Sequence, residues 1–78
     1  LLDLRGLKCP LPALKTRKAL GPLTAGDIIR VQCTDPLAGL DIPNLVRETG
    51  DTLLDTVQQD GIMTFSIRKE ARHKDARP

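Results

Sequence analysis

The segment Cys9-Pro10-Leu11-Pro12 constrains the fold more than any other stretch of these 78 residues. Proline fixes φ and lacks an N–H, so it suits the first turn of a helix and disrupts the interior. Two prolines two residues apart therefore predict a helix start here, with Pro10 at the first helical position. Before it, Leu1 to Arg5 alternates as a strand does, with Leu2 and Leu4 on one face and Asp3 and Arg5 on the other. Gly6 breaks that strand. The helix is expected to run to about Leu20, where Gly21-Pro22 stops it. Its expected buried arc holds Leu11, Ala13, Leu14 and Leu20, with the stems of Arg17 and Lys18 snorkelling from the same arc.

The rest of the chain divides cleanly at turn residues. Ala25-Gly26-Asp27 is a turn, and Ile28 to Cys33 reads as a strand with Ile29, Val31 and Cys33 on one face. Thr34-Asp35-Pro36 opens an irregular turn. Asp41 is expected to cap a second helix, with Pro43 in its first turn and Ile42, Leu45, Val46 and Thr49 at helical spacing. Gly50 ends it. Thr52 to Gln59 is a third strand, Asp60-Gly61 a hairpin turn, and Ile62 to Lys69 a fourth strand. There Met63, Phe65 and Ile67 face opposite to Thr64, Ser66 and Arg68.

The order is βαβαββ. A strand–helix–strand unit pairs its strands in parallel with a right-handed crossover, and the closing hairpin is antiparallel. The expected architecture is an α/β (α+β) two-layer sandwich: a mixed four-stranded sheet with both helices on one face. Residues 1–70 form one domain in this reading. Residues 71–78 have no apolar pattern and read as a basic C-terminal tail, expected to fray. Phe65 is the only aromatic residue, so the core must be aliphatic.

A net charge of +2 is too small to argue for nucleic acid. Arg5, Lys8, Lys15, Arg17 and Lys18 nonetheless gather around Cys9, although such runs are most often solvated surface. No apolar run is long enough to span a bilayer, so no membrane role is expected. Two cysteines do not make a secreted disulfide framework, and a reduced, cytoplasmic setting fits them better.

Cys9 is the residue to which chemistry points. At a helix N-terminus, unpaired N–H groups and the helix dipole favour thiolate over thiol, and the adjoining Lys8 acts the same way. A depressed thiol pKa is therefore expected. Cys9 also reads as a small apolar side chain closing a strand–helix corner. His73, the only histidine, falls in the tail, so no Cys–His pair is visible. Cysteines separated by 23 intervening residues do not make a zinc site, and no glycine-rich phosphate loop is present. Neither metal nor cofactor is expected. Cys33 shares the parallel-strand edge with Cys9 and could be a resolving thiol, but its alternation with Ile29 and Val31 favours the core.

The stretch Asp3-Leu4-Arg5-Gly6-Leu7-Lys8-Cys9-Pro10-Leu11-Pro12 resembles the D-x-x-G-L-x-C-P-x-P signature of the TusA/SirA-like sulfur carriers. Gly26-Asp27, Asp35-Pro36, Asp41-Ile42-Pro43 and Phe65-x-Ile67-Arg68-Lys69 follow in the family's order, so the resemblance covers about residues 2 to 69. It implies a βαβαββ sandwich that carries sulfur as a persulfide on Cys9. The donor would be a cysteine desulfurase or a rhodanese-type protein. The acceptor would be a DsrE/TusD-like protein or a tRNA-thiolating enzyme, in tRNA thiolation, cofactor maturation or sulfur oxidation. Such a protein is a sulfurtransferase-type carrier without independent small-molecule turnover.

By the same resemblance Gly6, Pro10 and Pro12 position the cysteine, and Asp3 helps to hold the motif. Arg5, Lys8, Lys15 and Lys18 are expected to dock acidic patches on partners. A carrier that hands over its cargo has reason to be monomeric. Two competing functions are an RNA-binding module and a thiol-based regulator. The first lacks an aromatic stacking platform on the sheet.

Overall fold

The computed structural model describes residues 1–70, and the tail expected at 71–78, with His73, lies outside them. The element order is β1 (Leu2–Leu4), α1 (Leu11–Leu20), β2 (Ile28–Cys33), α2 (Ala38–Thr49), β3 (Thr52–Gln59) and β4 (Ile62–Arg68). These form the expected mixed sheet, in the spatial order β1-β2-β4-β3. β1 and β2 are parallel, with Leu4 opposite Cys33. β2 and β3 each pair antiparallel with β4. The parallel crossover brings the C-terminal ends of β1 and β2 to one edge of the sheet, from which both helices start.

Alternation decides which side chains meet the helices. Val31, Cys33, Met63, Phe65 and Ile67 are buried with Leu4, and Val31 lies opposite Phe65 across the β2–β4 pair. α2 contributes Ala38, Ile42, Leu45 and Val46, the last three at the spacing that makes one helical face. Two turn positions have the expected left-handed geometry. Gly50 ends α2 with φ 82°, its N–H reaching back to Val46 and Arg47 carbonyls. Asp60 and Gly61 both have positive φ, as a two-residue hairpin between twisted strands requires. A bulge between Leu53 and Asp55 interrupts β3, and Leu54 is exposed there.

α1 differs from expectation. Its buried residues are Pro12, Thr16 and Leu20, one row at i, i+4 and i+8, while Leu11 and Leu14 are exposed. Thr16 can be buried because its hydroxyl donates to the Pro12 carbonyl at 2.7 Å. The first helical residue is Leu11, with Pro10 at the N-cap. α2 also starts earlier than expected, at Ala38 with Leu37 at its N-cap, so Asp41 does not cap it and Pro43 lies inside the helix.

Lys69 departs from the solvated reading of the basic residues. It is buried, and its ammonium donates to the Leu20 carbonyl at 2.9 Å. That places a cation on the C-terminal end of α1, where the dipole favours one.

Candidate functional site

Gly6 turns the chain out of β1 with φ 86°, a conformation that favours glycine. Its N–H donates to Thr34 Oγ1 at 2.8 Å, which ties the β1–α1 loop to the loop following β2. Two residues before α1, Cys9 is anchored in the same way. Its backbone N–H donates to Asp35 Oδ2 at 2.5 Å. Asp35 Oδ1 accepts from the Leu37 N–H at 3.1 Å, at the start of α2. The Cys9–Pro10 peptide bond is cis.

The Cys9 side chain is exposed and opens into a groove of about 320 Å³ between the helices. Pro10, Ala13, Leu14 and Arg17 line one wall; Asp41, Asn44, Leu45 and Glu48 line the other. At the near end Cys9 Sγ donates to Asp41 Oδ2 at 3.0 Å. At the far end Arg17 pairs with Glu48 at 3.0 Å. Both residues of that pair are well exposed, so it contributes little to stability.

The expected depression of the Cys9 thiol pKa is reversed. The hydrogen bond to Asp41 pushes it up, helped by partial desolvation and by the charges of Asp41 and Asp35. A bond donated by the neutral S–H stabilises the thiol, and nearby carboxylates oppose the thiolate. The helix start offers little compensation. Pro10 and Pro12 have no N–H, the Leu11 N–H is taken by the Lys8 carbonyl, and the Leu14 N–H by the Pro10 carbonyl.

The other expected site residues are distributed unevenly. Asp3 bonds the start of the cysteine loop, accepting from the Arg5 backbone N–H at 3.1 Å. Its carboxylate pairs with Arg5 at 2.8 Å, which holds the Asp3 pKa down at about 2. Arg5 is correspondingly engaged. Lys8 adjoins Cys9, and its charge acts on Asp35. Lys15 and Lys18 are exposed on α1. Cys33 is fully buried, and burial pushes its thiol up to about 11. It belongs to the core cluster with Leu4, Val31 and Phe65, as its alternation predicts. In the sequence Asp35 and Asp41 read as turn and cap residues and as landmarks of the family resemblance, with no link to Cys9. Their contacts to Cys9 cross 26 and 32 residues, which no local pattern signals.

Fold and site together define a small two-layer sandwich that presents one exposed thiol at the edge of its sheet, between two helix starts. Residues 1–69 match the family described as Sulfurtransferase TusA. A Neisseria meningitidis protein named as a candidate sulfur carrier is 45% identical over 67 residues, covering 86% of this chain and 90% of its own length. Sulfur carrier protein TusA of Allochromatium vinosum is 35% identical over 68 residues, covering 87% and 90%. The crystal structure of a SirA-like protein from Desulfitobacterium hafniense superposes with a TM-score of 0.79 at 22% identity, covering 90% of this chain and 96% of that one, and shares the fold. The chain belongs to the TusA family of sulfur carriers. Among the described residues, no helix is long and apolar enough to cross a membrane.

Proposed function

We propose that this domain, residues 1–70, carries sulfur as a persulfide on Cys9. The observation that supports it most is the contrast between the two thiols: Cys9 is exposed at a groove mouth, and Cys33 is sealed in the core. In loading, the Cys9 sulfur attacks the outer sulfur of a donor persulfide. A bond forms between Cys9 Sγ and that sulfur as the donor's S–S bond breaks. The donor sulfur leaves with the electron pair and takes up the proton lost by Cys9. One thiol and one persulfide give one persulfide and one thiol, with no external oxidant. Delivery is the same exchange with an acceptor thiol.

A cysteine desulfurase or rhodanese-type protein is the donor in this reading. A DsrE/TusD-like protein or a tRNA-thiolating enzyme is the acceptor, in the cytoplasm, with the carrier a monomer. Gly6, Pro10 and Pro12 hold the cysteine loop in place. Arg5, Lys8, Lys15 and Lys18 are the docking cations in this reading, Arg5 half-exposed and paired with Asp3. The three lysines share the α1 end of the molecule with exposed Leu11 and Leu14, giving a partner both charge and apolar surface. Phe65 is fully buried, which leaves the sheet without the stacking ring that RNA recognition uses.

Reconstituting transfer with a desulfurase, this protein and a labelled cysteine donor tests the reading. Label should pass through the protein to a downstream acceptor. Cys9→Ser should abolish transfer and Cys33→Ala should preserve it; transfer that survives Cys9→Ser contradicts the proposal.

A further inference from the structure

Asp41 lies in the first turn of α2, a place where a carboxylate commonly satisfies backbone N–H groups, yet α2 has no side-chain cap. Its carboxylate instead accepts from the Cys9 thiol at 3.0 Å. Of the other charged groups near Cys9, Asp35 and Arg17 are bonded elsewhere, and Lys8, which forms no ion pair among the described residues, is not on the groove wall. Asp35, from the loop before α2, holds the Cys9 and Leu37 N–H groups. Lys8, on the cysteine loop, acts on Asp35, and Arg17 of α1 is paired with Glu48 of α2 at the far end of the groove. A thiolate at Cys9 would meet two carboxylates and no free cation on the groove wall. A neutral thiol is satisfied there.

We propose that Asp41 is a positioning residue for the sulfur step, holding the empty Cys9 in the groove as a thiol and releasing it once it is loaded. The proposal rests on the carrier reading of Cys9. The outer S–H of a persulfide is a stronger acid than a thiol, so loaded Cys9 is an anion at neutral pH. It then has no proton to donate, and it faces the Asp41 carboxylate as a like charge. The side chain that is retained when empty is repelled when full, toward the open mouth of the groove where an acceptor approaches. The same contact keeps the empty thiol quiet toward stray electrophiles.

The test is the rate of Cys9 alkylation by iodoacetamide across about pH 6 to 10, on the full chain, with peptide mass analysis assigning the site. Asp41→Asn should lower the midpoint of the rate profile by about one pH unit, a rate about tenfold higher at neutral pH. Asp41→Ser should behave likewise. Asp41→Glu, which restores a carboxylate, should return the profile toward the parent, and Asp55→Asn on exposed β3 should leave it unchanged. Circular dichroism identifies which variants are folded, and Asp41→Ser decides if Asp41→Asn is not. A folded variant without the Asp41 carboxylate whose midpoint stays put, or rises, overturns the proposal.

A second arm loads Cys9 with inorganic polysulfide. The alkylation rate of loaded Cys9 at neutral pH should itself fall in Asp41→Asn, since the like charge that pushes it to the groove mouth is gone, and an unchanged or higher loaded rate contradicts the release step. The first arm uses no sulfur donor, so its outcome is independent of whether Cys9 carries sulfur. Failure to load at all bears on the carrier reading instead.

Discussion

The backbone N–H of Cys9 donates to the carboxylate of Asp35 at 2.5 Å, across 26 residues of sequence. The other oxygen of that carboxylate holds the Leu37 N–H beside the first turn of α2. One side chain thus fixes the loop that presents the thiol and the start of the helix that presents Asp41. The separation between Cys9 and Asp41 is set by this clamp as well as by the packing of the two helices.

Asp35→Asn should loosen that clamp. Hydrogen exchange at the Cys9 and Leu37 amides is expected to rise on the order of tenfold, from loss of a charge-assisted bond, with the sheet amides unchanged. The bonds from Cys9 and Leu37 hold the Asp35 carboxyl below the ordinary carboxylate range. A depressed folded-state pKa means that this stabilisation is present above the unfolded value and is lost as pH falls through the folded one. Acidification of the parent should therefore free the same two amides.

Charge reversal on α1 tests the docking surface. Lys15→Glu with Lys18→Glu should slow transfer from an acidic-faced donor by about tenfold at low salt and by less at high salt. Both side chains are exposed, so the melting temperature should barely move. Equal rates at low salt would remove these lysines from the interface.

Cys33 should make the fold sensitive to alkali. Burial raises its pKa to about 11, from an ordinary value of 9.0. A group raised on folding adds stability that is complete below the unfolded pKa and is lost as pH climbs through the folded one. The window is thus about pH 9 to 11. Urea midpoints should fall across it in the parent and fall less in Cys33→Ala. That variant carries its own cavity cost at all pH values.

Lys69→Met should destabilise by about 1–2 kcal/mol in urea unfolding, since it keeps the apolar stem and removes a charged hydrogen bond from the end of α1. The Leu20 carbonyl retains the Leu23 N–H, so it is not left bare. Arg68→Met, an exposed neighbour bonded to Glu70, serves as the comparison and should cost less.

These predictions follow the line between what local sequence could and could not reveal. Gly50, Asp60-Gly61 and the alternation in β2 and β4 act within a few residues, and the element order they imply is the observed one. The burial of Cys33 follows from its place beside Ile29 and Val31. The failures share a cause. Thr16 goes inside in place of Leu11 and Leu14 because a bond to Pro12 satisfies its hydroxyl, which a hydropathy pattern cannot register. Lys69 is buried because the end of α1 reaches it from 49 residues away.

The cysteine shows the division most sharply. Its position near a helix start was legible, and local charge suggested an activated thiolate. The long-range contacts with Asp35 and Asp41 reverse that expectation. Local positive charge in sequence was outweighed by negative charge brought in by the fold.

The central claim is tested most directly by intact-mass and peptide-mass analysis of the protein after incubation with a cysteine desulfurase and cysteine. The account predicts a gain of one sulfur atom, reversed by a reducing thiol, located on the peptide containing Cys9 and absent in Cys9→Ser. No gain with a desulfurase or a rhodanese-type donor, or a gain located on Cys33, would contradict it.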